Sequence, residues 1–377
     1  MMRIQNLSNI SFYGLCLICA IQLSGCNGRE YHVIAVENPE YRANTAFNYY
    51  EDLNSPGFSQ LISKYQLDTV FKGEEDEFQR ILLLKEWIHT VMPIDNNGDP
   101  YPGDGYVQRI LDAALDGTGF HCGHFMRVQN AVLNAFGFVT RTIGAGPGIA
   151  GVIDSHHGIN ETWVNSYGKW VLIDAKYNHY FEKDGIPLSA LEVREEYLKN
   201  EAKDILMIKG VHRVATDFDQ EFQRSKKSFA RTYTWIEWHM DNNMFTVWPE
   251  YQEKLIVYED EFFRNNTWIW GEKPHWAYGK PEFMIREPKR EAIEWTPNTI
   301  KSKVSIEGTK AEIRLISTTP NRKCYQMKLD GGKWKDVSSR IELVLEKDEH
   351  DIIFRVVNEA DVTGPEHRVV ISTQPKT

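Results

Sequence analysis

Basic clusters are missing from this chain. With 43 Lys and Arg against 53 Asp and Glu, the formal charge is −10, and no run of positive residues interrupts it. A nucleic-acid backbone, which needs concentrated positive charge, is excluded as a partner. Long hydrophobic runs are also missing: the apolar stretch from Ile10 to Leu23 is too short and too early for a bilayer-spanning helix. Cysteine is scarce, five in 377 residues. What is present is an average composition, 42% hydrophobic and 25% charged, that reads as a soluble globular body long enough for two or three domains.

Met1 to Gly25 has the features of a targeting segment and is set aside from the fold. Arg3 is the only charge before the apolar stretch, which ends in Leu23, Ser24, Gly25 and Cys26. Small residues before a cysteine resemble a bacterial lipobox, which implies cleavage before Cys26 and lipidation of its thiol. An ordinary secretory signal with a chance cysteine is the other reading; either way the mature chain is exported. Cys16 and Cys19 leave with the signal, so only Cys122 and Cys324 stay in the folded body beyond the lipidated Cys26. They fall in separate stretches and are expected to be free. A free thiol outside the cytoplasm asks for a reason. Catalysis at Cys122 supplies one, while Cys324, in the strand-like KCYQMKL, reads as core.

The chain is organised around Gly119 to Gly137, GFHCGHFMRVQNAVLNAFG. Phe125, Val128, Val132, Ala135 and Phe136 recur at three- and four-residue steps, so the segment is a helix with one apolar face, stopped by Gly137. Cys122 therefore sits at the first turn. Unpaired N–H groups and the positive end of the helix dipole favour a thiolate there, although a cysteine on a helix can equally be a small buried hydrophobe. Partners appear downstream. His157 opens the strand-like HGINETWV and Asp174 closes WVLIDA. Side chains alternate along a strand, so the two share a face only if the loop between the strands has an even number of residues. A four-residue loop from Asn165 to Gly168 pairs Val164 with Lys169 and leaves Asp174 one diagonal step from His157, about 7 Å between backbones. A thiol, an imidazole and a carboxylate in that order are the parts of thiol acyl chemistry.

These residues resemble a family. The run around Cys122, the strand FVTRTIGAG, and the spaced His157, Glu161, Trp163, Trp170 and Asp174 resemble the core of the transglutaminase-like superfamily of papain-like thiol enzymes, over roughly Phe78 to Tyr180. The resemblance implies nucleophile, base and orienting carboxylate at Cys122, His157 and Asp174, with Trp163 and Trp170 at the family's aromatic positions. One position departs from the pattern: the aromatic residue usual two places after the histidine is Ile159 here, which leaves substrate preference open.

Elsewhere, residues 30–54 read as a tether and lead-in, and Pro56 to Asp68 and Glu74 to Val91 as helices, with Trp87 packed behind the cysteine helix. Met92 to Gly105 is turn-rich and reads as a cleft rim, where Asn96, Asn97 or Tyr101 could give the second donor to an oxyanion beside the Cys122 N–H. The glycines of GAGPGIAG match G-x-G-x-x-G but run on toward His156 and His157 without opening a helix, which fits a mobile loop better than a dinucleotide site. His121, His124, His156, His157 and His179 raise zinc as a competing idea, but no recognised ligand spacing is present. Residues 186–224 read as surface helices. Between Thr232 and Tyr278 aromatics are dense; they can stack on sugar rings, and a buried seam uses the same residues. Arg286 to Lys303 reads as a linker, and the short alternating runs after it as an antiparallel β-sandwich resembling immunoglobulin-like or fibronectin-like modules.

The expected organisation is a signal over 1–25, a tether over 26–55, a catalytic domain over 56–285, a linker over 286–303 and a sandwich over 304–377. The fold class is α+β, a papain-like, transglutaminase-like core followed by a small all-β sandwich. The expected activity is acyl transfer from an amide or peptide bond through a Cys122 thioester, to water in preference to an amine. The alternatives are protein crosslinking and a catalytically silent lipoprotein that binds glycan or protein. The expected partners are a peptide or protein amide substrate, with Trp163 and His156 lining its cleft, and a membrane reached through Cys26. No cofactor or metal is expected.

Overall fold

The computed structural model describes residues 29–47, 49–95, 106–148, 156–243, 245–246, 254–266, 269–270, 273–274 and 280–373. Within them, several helices start where a side chain can accept the unpaired N–H groups of a first turn. Ser55 accepts the Gly57 N–H ahead of α1 (Pro56–Tyr65), and Asp76 accepts the Gln79 N–H ahead of α2 (Glu77–Val91). In α3 (Tyr106–Leu115), Val107, Ile110, Leu111 and Ala114 give the buried stripe. Next, α4 (Cys122–Ala135) is capped by His121. Beyond it the chain turns at Gly137, whose φ of +77° other residues resist. Two later helices are α5 (Ala190–Asn200), opened by a capping box of Ser189 and Glu192, and α6 (Lys226–Thr232).

The strands are β1 (His32–Glu37), β2 (Thr140–Gly146), β3 (His157–Val164), β4 (Lys169–Asp174), β5 (His179–Lys183), β6 (Leu206–Lys209), β7 (Val214–Thr216), β8 (Trp235–His239), β9 (Leu255–Tyr258) and β10 (Met284–Glu287). Strands β10-β9-β8-β2-β3-β4-β5-β6-β7, in that order, form a ten-stranded sheet with Ile186–Pro187 beside β5. Only β9 and β10 pair in parallel. Helices α1 to α4 cover one face, where Val164, Val171 and Ile173 meet Phe125, Val128 and Val132. On the other face Ile159, Trp163 and Trp170 pack with Leu191, Phe229 and Trp238, under α5 and α6. The architecture is α+β.

The C-terminal strands are β11 (Lys301–Glu307), β12 (Lys310–Ile316), β13 (Arg322–Leu329), β14 (Lys335–Val337), β15 (Arg340–Val344), β16 (Glu349–Asn358) and β17 (His367–Ser372). A three-stranded sheet β11-β12-β15 and a five-stranded sheet β1-β17-β16-β13-β14 share one apolar core around Ile313, Tyr325, Ile352, Phe354 and Val369. The stretch expected as a tether therefore holds a strand: β1 runs antiparallel along β17 and pairs backbone groups that an open edge would leave exposed.

Three further expectations are corrected. The linker is packed, because Ile293 and Trp295 carry apolar surface that proline and charge concealed in the sequence. Trp295 is fully buried, meets Trp170 edge-on at 5.5 Å, and accepts the Trp170 Nε1–H on its carbonyl at 2.7 Å. Residues 201–224 do not continue the helices; β6 and β7 lie there, because buried Met207 and Ile208 extend the sheet beside β5. Trp87 is only partly buried and tilts against Tyr65 at the surface. The inward stripe of α2 runs through Ile81, Lys85 and Ile88, and Trp87 stands about 200° around the helix from Lys85.

Candidate active site

The β3–β4 hairpin sets the geometry. Val164 pairs with Lys169 and Trp163 with Trp170, so the loop is Asn165 to Gly168, the even spacing the sequence called for. Gly168 takes a φ of +62° to close it. His157 at the start of β3 and Asp174 at the end of β4 consequently project from one face, and His157 Nε2 lies 2.7 Å from Asp174 Oδ2. The second ring nitrogen, Nδ1, is left for another partner.

The same ring also meets sulfur. The Cys122 thiol hydrogen-bonds to the His157 ring. Gly158 lies at the point of approach: a Cβ there would stand 3.3 Å from Met126 Sδ and 3.4 Å from Gly123 Cα, so the first turn of α4 rests against β3 with room for little more than a methyl group. Cys122, His157 and Asp174 are 7%, 4% and 2% exposed. Burial pushes the Cys122 thiol up, but hydrogen bonds from His121 and His157, the His157 charge and the Gly158 N–H outweigh it and hold the thiol well below its ordinary value. Burial likewise opposes charge on His157, and the Asp174 carboxylate overcomes it, raising the imidazole to about 9. Asp174, despite its own burial, is held below the usual carboxylate range by the His157 charge. Both shifts favour the pair as thiolate and imidazolium.

The carboxylate has further support that sequence reading missed. The Tyr177 N–H donates to Asp174 Oδ1 at 3.0 Å, and the Tyr233 hydroxyl to Oδ2 at 3.3 Å. The Tyr177 ring lies 4.9 Å from that of His157, between centroids. His179, fully buried beside this network, is pushed down to about 3 by burial and stays neutral. Lys85 is fully buried too, its Nζ without a hydrogen-bond partner, and burial lowers it to about 7 against the pull of Glu86 and Asp174. Tyr177 carried a local signal, three residues past the aspartate where a turn N–H can reach back. Tyr233 carried none, since it comes from a distant helix end.

The remaining expected site residues separate. His156 stays at the site, exposed next to His157 and within electrostatic reach of Cys122 and His121. Trp163 is not a cleft residue: it is 2% exposed, packs edge-on against Trp170 at 5.9 Å, and donates its Nε1–H to Asn165 Oδ1 at 2.9 Å. It shares the face of His157 but lies six residues away, about 20 Å along the strand. Glu161 is structural, fully buried and bound by Arg141 Nη2 at 2.6 Å, Trp238 Nε1 at 2.9 Å and the Ala190 N–H at 2.7 Å. Asn96, Asn97, Tyr101 and Cys26 lie outside the described residues. Gly144 and Gly146 are in β2 and open no helix. Tyr233, Trp235 and Trp238 are buried and present no sugar-stacking face, and the side chains of residues 267–279 lie outside the described residues. Among the described residues no group of three or more His, Cys, Asp or Glu could hold a metal ion. Cys122 and Cys324 are free thiols; Cys324 is half-buried at β13, where Asp336 takes its S–H at 3.6 Å, so it is not core.

No protein-family model and no curated protein matches the sequence. Among solved structures, the chain is similar to a red sea bream transglutaminase at 10% identity with a TM-score of 0.25. The similarity covers 85% of this chain and 57% of that one, so the chain spans little more than half its length. At that level it carries no weight for fold or function, and the chemistry rests on the geometry around Cys122.

Proposed function

We propose that the protein is a thiol acyl-transfer enzyme with a transglutaminase-like, papain-like core. The observation that carries this reading is one imidazole held between a thiol and a carboxylate. Cys122 Sγ attacks an amide carbonyl, and the C=O pair moves to oxygen. The adduct then collapses to a thioester as the C–N bond breaks and the His157 proton passes to the leaving amine. His157 next takes a proton from water, whose oxygen attacks the thioester; the C–S bond then breaks, the acyl group leaves as a carboxylic acid, and the Cys122 thiolate is restored beside protonated His157. Asp174 holds the ring and balances its charge. Water as the acceptor makes the protein a peptidase or amidase; an amine would make it a crosslinking enzyme.

Iodoacetamide near pH 6 tests the nucleophile. Label should go to Cys122, and His157→Ala should slow it by at least about tenfold, since the thiol would return toward its ordinary value. Equal rates in wild type and variant would favour a silent binding protein. Ammonia release from glutamine peptides without incorporation of a fluorescent amine separates hydrolysis from crosslinking. We further propose that Cys26 anchors the protein in the cell envelope. Cys26→Ser should move the protein from the membrane fraction to the soluble one, and unchanged fractionation overturns the anchor. Among the described residues no helix is long and apolar enough to cross a membrane.

A further inference from the structure

Strand pairing breaks off beside the site. The ladder between β3 and β4 runs from Val164 opposite Lys169 to Asn160 opposite Ile173 and stops there, while β3 continues along β2 through Ile159, Gly158 and His157. An unbroken ladder would set Gly158 against Ala175. Instead the end of β4 has parted from β3, and its backbone on either side of Asp174 needs another partner. Gln129 is that partner. It lies seven residues beyond Cys122, about two turns along α4 and on the same face. Its Nε2–H donates to the Ile173 carbonyl at 3.0 Å, and the Ala175 N–H donates to its Oε1, also at 3.0 Å. The two bonds bracket Asp174 as a neighbouring strand would, while on the opposite edge Asp174 pairs with His179 of β5. Gln129 is fully buried, and between it and Cys122 on that helix face stands Met126, whose Sδ lies against Gly158. One face of α4 therefore spans the opening, resting beside His157 at one end and on the backbone around Asp174 at the other.

We propose that Gln129 is a positioning residue for acyl transfer, a clamp that fixes the carboxylate of Asp174 relative to the helix that carries Cys122. Its catalytic part rests on the acyl-transfer reading above. Gln129 acts through the β4 backbone and takes no proton. Apolar contacts already hold α4 on the sheet, but such contacts are non-directional. Two hydrogen bonds to one amide set where along β4 the helix rests, so the 2.7 Å contact of Asp174 with His157 and the approach of α4 to β3 are held in one frame.

Gln129→Met keeps the volume and removes both bonds. Gln129→Glu keeps the shape and the acceptor for Ala175, but an ionised carboxylate has no hydrogen for the Ile173 carbonyl, and it decides the matter alone should the methionine variant not fold. The measurements are melting temperature, the NMR titration of the His157 ring, iodoacetamide labelling at the Cys122 peptide, and the burst of p-nitrophenolate from p-nitrophenyl acetate. In Gln129→Met the ring should titrate about one unit lower as the carboxylate drifts from it. The burst rate at saturating ester should fall about 10- to 100-fold, as for a displacement of about 1 Å, with the half-saturating concentration unchanged. Gln129→Glu should fall between this variant and wild type. If both variants lose only melting temperature, with titration, labelling and burst as in wild type, Gln129 is a stabiliser and the inference is overturned. If His157→Ala slows labelling while neither Gln129 variant moves titration or burst, acyl transfer stands and the clamp falls. If wild type gives no burst but the His157 titration still moves in the Gln129 variants, the clamp on the carboxylate stands and its catalytic part falls with the acyl-transfer reading.

Discussion

At Cys122 burial and polarity pull in opposite directions, and polarity wins. The His157 and His121 rings, the His157 charge and the Gly158 N–H all favour the thiolate, so a nearly enclosed thiol is held well below its ordinary value. The sign of the pH dependence follows. His157 holds its proton up to about 9 and Cys122 loses its own below the ordinary value, so acyl transfer should run on a plateau through neutrality and fall as pH rises through about 9. A rate that instead kept climbing above pH 9 would show a neutral imidazole acting on a neutral thiol. Stability obeys the same linkage: the share from His157 is complete below its unfolded value of about 6.5 and is lost through about 9. The share from Asp174 is present above the ordinary carboxylate value and is lost as pH falls through its lowered one. Asp174→Asn keeps the shape and removes the charge, so His157 should titrate lower and turnover drop about 100-fold or more. NMR titration of the ring with a single-turnover rate checks both.

Between elements, the decisive contact is α4 against β3 at Gly158. Local pattern placed Cys122 at a helix start and His157 at a strand start, but only their packing brings the two together. A valine at 158 would drive its side chain into Met126 and the α4 backbone. Gly158→Val should therefore cost labelling at Cys122 by more than about tenfold while the sheet survives, because separating sulfur from imidazole returns the thiol toward its free value. Wild-type labelling in that variant would show that the approach does not depend on the glycine. The hairpin was legible in advance because Val164, Lys169 and Gly168 confine the register to a few options. Lys85 was not legible in the same way: it is fully buried on the inward stripe of α2, and a helical pattern does not say which charged side chain will be enclosed.

Across the whole molecule, the segment before the C-terminal sheets is a joint. Ile293 and Trp295 enter the core beneath Trp170, Arg141 donates to the Ile293 carbonyl at 2.6 Å, and Asn358 donates to the Gly137 carbonyl at 2.9 Å. Strand β1, from the other end of the described chain, forms the edge of the five-stranded sheet opposite β14. Trp295→Ala should cost about 3–5 kcal/mol and lower the melting of both parts together, read by calorimetry. If the sandwich melted independently at its usual temperature, the joint would not couple them.

Spacing along the chain decided which residues could serve as thiol, imidazole and carboxylate, which faces of the helices and strands were apolar, and the even loop that aligned His157 with Asp174. Those are consequences of period and turn chemistry, and both are local. Tertiary packing alone decided that Tyr233 supports the carboxylate, that Trp163 is core, that Trp295 closes a joint and that β1 joins a sheet with β17. Each of these is a contact between residues distant in sequence, and burial rewards such a contact only after the chain has closed the loop between them.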